Sequence, residues 1–260
     1  MRIAIAGKGG SGKTTIAGTL ARLLARRGRK VIAVDGDTNP NLAQTLGIAS
    51  GADEGLTTLP TDILVRREEP DADPASELAI PVEEVLERYG TVGPDGVRLL
   101  VMGRVEHAGR GCKCRAHSVA RYVIGDLLAY ADHEGEVVVD MEAGLEHLSR
   151  GTTKYVDGLL AVAEPYYRSL ETARRVYELA AELGIDNVRL LANKVRDEPE
   201  ADAIRDYTER HGLEVAGEVP YDETIMNADL RGQPLLDADP RAPAVEALER
   251  LAVAVIAGTL

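Results

Sequence analysis

The chain has 260 residues, 45% of them hydrophobic, with 43 acidic against 30 basic side chains and a formal net charge of -13. That is enough apolar material for one large core or two small ones, and the acidic balance, with no Lys/Arg block interleaved with aromatics, argues against a nucleic-acid surface. Trp and Phe are absent, so the core must come from Val, Ile, Leu and Ala, which suits the buried strands of a parallel sheet.

Arg2 to Ala6 reads as a short apolar strand, and Thr14 to Arg27 as a helix with Ile16, Leu20, Leu23 and Leu24 on one face. Between them run Gly7-Lys8-Gly9-Gly10-Ser11-Gly12-Lys13-Thr14-Thr15. Strand, glycine loop, helix is the order of a phosphate-binding loop. Successive backbone N–H groups from Gly7, Gly9, Gly10, Ser11 and Gly12 to Thr15 are expected to meet phosphate oxygens. Lys13 compensates their charge, and the Thr14 hydroxyl serves as a magnesium ligand. Lys8 is surplus to this frame. Because the first glycine ends a strand, the next side chain points away from the loop's own nucleotide, free to meet phosphates held by a second subunit. A nucleotide-dependent homodimer is the expectation.

Val31 to Val34 is a second buried strand, closed by Asp35-Gly36-Asp37 and the turn-rich Thr38-Asn39-Pro40-Asn41. Asp35 and Asp37, two apart in an extended segment, project the same way, and Asp37 is the one chosen to orient an attacking water. From Ser50 to Gly96 the composition shifts to Asp, Glu, Pro and Gly, which predicts a surface excursion over residues 50–96 with a helix at Pro81 to Tyr89. Val97 to Met102 returns as a strand, and Ser118 to Ala131 reads as a helix. Glu136 to Val139 is an apolar run ending at Asp140, whose carboxylate is placed to hold magnesium directly or through water. In Asp140-Met141-Glu142-Ala143-Gly144, the Gly144 N–H is positioned to sense a terminal phosphate. Glu142, Glu146, His147 and Arg150 follow, with Glu146 and Arg150 spaced as a surface ion pair or as a path that reports nucleotide state onward.

Downstream, strands at Gly158 to Ala163, Val188 to Ala192 and Leu213 to Glu218 alternate with helices at Arg168 to Leu183, Ala201 to His211 and from Ala242 onward. Asn193-Lys194 ends a strand, where the amide can meet a purine edge and the lysine stem can pack on its face. Position 196 carries Arg196 rather than a guanine-selecting Asp, which favours ATP over GTP, although Asp197 stands one place later. With no fixed-period repeat and no Gly/Ser linker, residues 1–260 are expected to form one α/β domain. It is a doubly wound, mostly parallel sheet with helices on both faces, whose ligands bind beyond the carboxyl ends of the strands. The chain enters its first strand without a basic leader, no apolar run approaches a bilayer span, and Leu251 to Leu260 reads as a core-facing helix end. A cytoplasmic protein with no membrane contact is expected.

Cys112-Lys113-Cys114 stands apart, in a Gly- and Arg-rich segment from Gly103 to Arg115. Two cysteines do not make a secreted disulfide framework, and neighbours Arg110, Lys113 and Arg115 would favour the ligating thiolate. Two thiolates leave a tetrahedral site half filled. His107 or His117 could complete it, but a two-fold-related copy would bring two more sulfurs, and that shared four-thiolate site is preferred here. Free, partly buried thiols are the plainer alternative, and an iron–sulfur cluster between the chains also remains open. Tetrahedral thiolates suit zinc, whereas nickel(II) tends to a square plane.

With Lys8, Asp37, Asp140 and Asn193 together, the chain resembles the MinD/ParA/nitrogenase-iron-protein class of deviant Walker-A P-loop ATPases over nearly its whole length. Cys112-Lys113-Cys114 with Asp140-Met141-Glu142-Ala143-Gly144-Leu145-Glu146-His147 narrows the likeness to the nickel-insertion ATPases that mature carbon monoxide dehydrogenase. The resemblance implies that ATP drives dimerisation, Lys8 crosses to the partner's phosphates, Asp37 positions water, and Thr14 and Asp140 manage magnesium. It further implies that the paired cysteines of two copies hold one nickel or zinc ion, and that Pro220 and Asp222 lie beside the base. The nitrogenase iron protein draws its cluster cysteines from separate loops, and this chain has none at the second. A basic amphipathic tail, as in MinD, and basic surface runs, as in ParA, are also missing. The expectation is therefore an ATP-hydrolysing, homodimeric metallochaperone whose client is carbon monoxide dehydrogenase. An ATP-gated iron–sulfur electron carrier and a MinD/ParA-like positioning ATPase are the alternatives.

Overall fold

The computed structural model describes residues 1–37, 39–48, 56–60, 62–67, 75–102, 122–127, 135–144 and 156–260. Its first half comprises β1 (Arg2–Gly7), α1 (Lys13–Arg26), β2 (Val31–Asp35), α2 (Leu42–Leu46), β3 (Leu64–Arg67), β4 (Ala75–Leu78), α3 (Val82–Tyr89), β5 (Thr91–Val92), β6 (Arg98–Val101), α4 (residues 122–127) and β7 (Glu136–Asp140). The second comprises β8 (Gly158–Ala163), α5 (Tyr167–Glu182), β9 (Val188–Val195), α6 (Glu198–His211), β10 (Val215–Pro220), α7 (Glu223–Asp229), α8 (Leu235–Ala238) and α9 (Pro243–Ala257).

Among the described residues, the main sheet has eight strands in the order β10-β9-β8-β1-β7-β2-β6-β5. Its pairings are parallel except the short antiparallel edge of β5 on β6; β3 and β4 form a separate antiparallel pair. β1 sits between β8 and β7, so the winding reverses there and opens a crevice at the carboxyl ends of the strands. Each central strand serves two cores. Ile3 and Ile5 pack with Ile16, Leu20 and Leu24 of α1 and Leu248 and Leu251 of α9. Ala4 and Ala6 face the other way, toward Leu170, Ala173 and Val176 of α5 and Ile204 of α6. Burial on both faces is why the strands read as unbroken apolar runs, and the expected doubly wound α/β fold with helices on both faces is what forms.

Part of the segment expected on the surface packs inward. Leu59, Ile63, Val82, Val85 and Leu86 are buried in the core on the α5 side, α3 forms close to where a helix was expected, and β5 closes an edge of the main sheet. These apolar residues stand in runs of one to three among Asp, Glu, Pro and Gly, so a composition window averages them away. Elsewhere, residues 122–127 of the expected helix from Ser118 to Ala131 are helical. Cys112, Cys114, Glu146, His147 and Arg150 lie outside the described residues. No helix among the described residues is long and apolar enough to cross a membrane.

Candidate functional site

The phosphate loop fills the turn from β1 into α1. Gly7 has φ +151°, and a Cβ there would lie 2.5 Å from the Val162 carbonyl oxygen on β8. Gly12 caps α1 at φ +97°, where a Cβ would meet Asn193 Nδ2 at 2.3 Å. Both positions therefore require glycine on conformational and steric grounds. α1 begins with no side-chain cap and no acidic residue in its first turn, leaving its amino-terminal N–H groups and positive dipole end for an anion. Ser11 Oγ is buried with no protein partner, a polar atom fit to meet a phosphate oxygen. Lys13 is buried, and its Nζ donates to the Lys8 carbonyl at 3.3 Å. Burial lowers its pKa, against the opposing pull of Asp140 and Asp37.

Two carboxylates end adjacent strands beside the loop. Asp35 on β2 is in register with Asp140 on β7, and both are buried. Desolvation, sharpened by their mutual repulsion and that of Asp37, raises Asp140 to about 7 against a Thr14 hydrogen bond and the Lys13 charge. Asp140 Oδ1 has no protein hydrogen-bond partner. An oxygen kept out of water without a partner, next to a threonine hydroxyl and two more carboxylates, is a donor set that fits a hard divalent cation such as magnesium.

Asp35 and Asp37 have different hydrogen-bond partners. Asp35 accepts the Leu42 N–H at 2.8 Å and the Asp37 N–H at 3.1 Å, fastening the turn after β2; desolvation raises its carboxyl to about 6. Asp37 sits within electrostatic reach of Lys13 and Asp140 and accepts the Asn39 N–H at 2.8 Å. Of the two, it is the one whose charge acts on Lys13. Gly144 stands at φ +101°, and its N–H is donated to the Gly7 carbonyl at 3.2 Å. It can reach a phosphate only after that bond opens.

The opposite side of the loop, where the base is expected, is built by β9 and β10. Asn193 Nδ2 donates to the Ser11 carbonyl at 2.7 Å, while its Oδ1 is buried without a protein partner. Lys194 takes the uncommon φ of +62°, which lets its Nζ donate to the Gly10 carbonyl at 2.6 Å and pair with Glu164 at 3.0 Å. A cleft of about 500 Å³ opens here, walled by Asn193, Lys194, Arg196, Tyr221, Asp222 and Met226. The Arg196 guanidinium lies 4.5 Å over the Tyr221 ring. Asp222 reaches the cleft wall, but its oxygens accept from Thr224 N and Ala244 N, tying α7 to α9. Pro220 ends β10. Asp197 caps α6 by accepting from Glu200 N. Glu164 and the α7 wall carry no mark in the sequence; the available signal was the acid immediately after strand β8, where such folds place ligand contacts.

Loop, buried lysine, strand-end acids and base cleft define a P-loop nucleotide-binding ATPase. More particularly, the chain belongs to the CobQ/CobB/MinD/ParA nucleotide-binding domain family, whose profile matches residues 3–235. It is 40% identical to an uncharacterised ATP-binding protein of Methanocaldococcus jannaschii, over 90% of this chain and 91% of that one. It is 37% identical to the carbon monoxide dehydrogenase accessory protein CooC of Rhodospirillum rubrum, over 92% and 91% of the two chains. Its fold superposes on the septum site-determining protein MinD of Pyrococcus horikoshii, solved with Mg-ADP, at a TM-score of 0.72 and 21% identity, covering 99% of this chain and 97% of that one.

Proposed function

We propose that this ATPase is a homodimeric metallochaperone that carries nickel, or zinc, between the Cys112/Cys114 loops of two copies and assists nickel insertion into carbon monoxide dehydrogenase. The observation that carries this reading is the 37% identity to a carbon monoxide dehydrogenase accessory protein across nine-tenths of both chains. Support for the nucleotide half comes from the site itself: an uncapped helix start and a buried Lys13 for phosphates, and Asn193 and Lys194 beside the base cleft.

In this reading ATP binds with its phosphates along Gly7 to Thr15 and its base in the cleft near Pro220 and Asp222. Thr14 and Asp140 would hold magnesium, which neutralises charge on the β- and γ-phosphates. Asp37 orients the attacking water. Lys13 in its own subunit and Lys8 from the other stabilise the transferring phosphoryl group. Gly144 exchanges its bond to Gly7 for the terminal phosphate and so reports hydrolysis toward the cysteine segment.

The test is metal content and oligomeric size of the wild type and of the Cys112→Ser/Cys114→Ser double variant, each with and without ATP. About half a nickel or zinc ion per chain, lost in the double variant, is the result expected of a site shared across a two-fold axis. Metal retained in the double variant would overturn the cargo site. Visible absorbance after anaerobic purification would transfer the cysteines to an iron–sulfur cluster.

A further inference from the structure

Lys8 is expected to act across a subunit boundary, yet in the single chain its ammonium is not loose. Its Nζ donates to the Tyr166 hydroxyl at 3.3 Å and lies 4.9 Å from that ring's centroid. The same hydroxyl donates to Glu164 Oε1 at 3.2 Å, so its proton is committed to the carboxylate and its lone pairs face the lysine. Glu164 Oε2 in turn pairs with Lys194 at 3.0 Å, and Lys194 donates to the Gly10 carbonyl at 2.6 Å. Donors and acceptors agree at every step. The chain of contacts runs around the outside of the phosphate loop, from the groove that holds Lys8, Gly9 and Gly144 to the base cleft that holds Glu164 and Lys194.

The backbone fixes the middle of this path. Tyr166 is the residue before α5, its N–H turned back to the Glu164 carbonyl at 2.7 Å, and the Glu164 N–H is donated to Ser169 Oγ at 3.0 Å. Tyr166 itself is 40% exposed. A half-exposed ring held by a tight turn is poorly used as core, but it is well placed to park a neighbouring cation.

We propose that Tyr166, oriented by Glu164, is a positioning residue that holds Lys8 on its own subunit until a second copy presents its phosphates. The parking contact stands on the distances above; its consequence for ATP-driven pairing rests on the trans role of Lys8 proposed for this site. A contact of this kind at an exposed position is worth a factor of about two to five. Two lysines leave their rests in each dimer, so removing both tyrosines tightens ATP-driven association by about four- to twenty-five-fold.

Two measurements on the full-length protein separate the contact from its consequence. The first is acetylation of lysines by N-hydroxysuccinimidyl acetate in the nucleotide-free protein, read peptide by peptide by mass spectrometry. Tyr166→Ala is expected to raise labelling of Lys8 about threefold, and Tyr166→Phe, which keeps the ring, by less, with Lys13 labelling unchanged. Lys8 labelling equal in all three proteins overturns the proposal. The second is sedimentation with ATP: Tyr166→Ala associates more tightly than wild type, and in a Lys8→Ala background the same substitution changes nothing, since the partner it restrains is gone. A Tyr166→Ala effect that persists without Lys8 also overturns it. If Lys8→Ala leaves association and turnover intact, the trans role fails instead, while the labelling result still decides whether Tyr166 holds the lysine.

Discussion

The two flanks of the phosphate loop are finished to different degrees. On the β9 side, Asn193 and Lys194 already grip the loop through the Ser11 and Gly10 carbonyls, and Glu164 neutralises the lysine. On the β2 and β7 side, Asp35 and Asp140 end neighbouring strands, the Lys13 charge opposes the rise at Asp140, and both carboxyls are still pushed up, to about 6 and about 7, chiefly by burial. One flank is preorganised by its own contacts; the other stores repulsion that a divalent ion would relieve. Nucleotide affinity can thus be resident in the chain before any ligand arrives, while competence for hydrolysis waits for the ion.

Lys13 belongs to both flanks, and its loss has the largest expected effect. Lys13→Ala removes the charge proposed to meet the phosphates and leaves Asp37 and Asp140 less compensated, so ATP turnover should fall by about a thousandfold. A steady-state phosphate-release assay checks this; a loss under tenfold would show that the loop's N–H groups carry the phosphates without it.

Gly12→Ala attacks the preorganised flank. The new methyl would lie 2.3 Å from Asn193 Nδ2 at a φ of +97°, so the Asn193 amide must give up its bond to the Ser11 carbonyl or the helix start must move. The expected cost is about 3 kcal/mol, read as a lower melting temperature and weaker ADP binding together. Weaker binding with an unchanged melting temperature would mean that the flank adjusts at little cost.

How much of this contrast was legible beforehand follows from the range of the contacts involved. Gly7 to Thr15 could be recognised because a phosphate loop is local: strand, loop and helix are consecutive, and glycine at positive φ is a residue-level requirement. Asp140 was legible because it ends an unbroken run of valines. The commitments of Gly144 N–H to Gly7, of Asp222 to two helix starts, and of Tyr166 to Lys8 were not, since each joins segments from about 20 to 160 residues apart or depends on a turn that no periodicity marks. The short helices α7 and α8 were missed for a related reason. Seven and four residues give no 3.6-residue pattern to detect, and what holds them is packing of Ala228, Leu235 and Leu236 against the rest.

Asp140→Asn tests the unfinished flank. In the nucleotide-free protein kept in a chelator, a carboxyl whose folded pKa lies above its unfolded value binds more protons folded than unfolded, so stability falls as pH rises from about 4 to 7 and levels off above. Asp95, Asp157 and Asp222, whose pKa values are lowered, titrate below that window and do not offset the decline. The asparagine variant should therefore lose part of the decline and be more stable than wild type at pH 8 by about 2 kcal/mol, while its magnesium-dependent turnover collapses. Melting curves at pH 5 and pH 8 decide it. Equal slopes for the two proteins would mean that water already relieves Asp140, and the contrast between the flanks would shrink accordingly.

The smallest effect is expected at Asp197, and it bears on what the preorganised flank selects. An acid just beyond Asn193-Lys194 invites the reading that it chooses guanine. Its Oδ1 instead accepts the Glu200 N–H at 3.0 Å and starts α6, whereas Arg196, one place earlier, stacks on Tyr221 at the cleft wall. A carboxylate spent on a helix cap is not available to a base. Asp197→Ala should therefore cost about 1 kcal/mol of stability, the usual price of an N-cap, and leave the ratio of ATP to GTP turnover within about twofold of wild type. If that ratio instead shifts tenfold or more while the melting temperature holds, the acid reads the base after all, and the flank is less settled than its hydrogen bonds indicate.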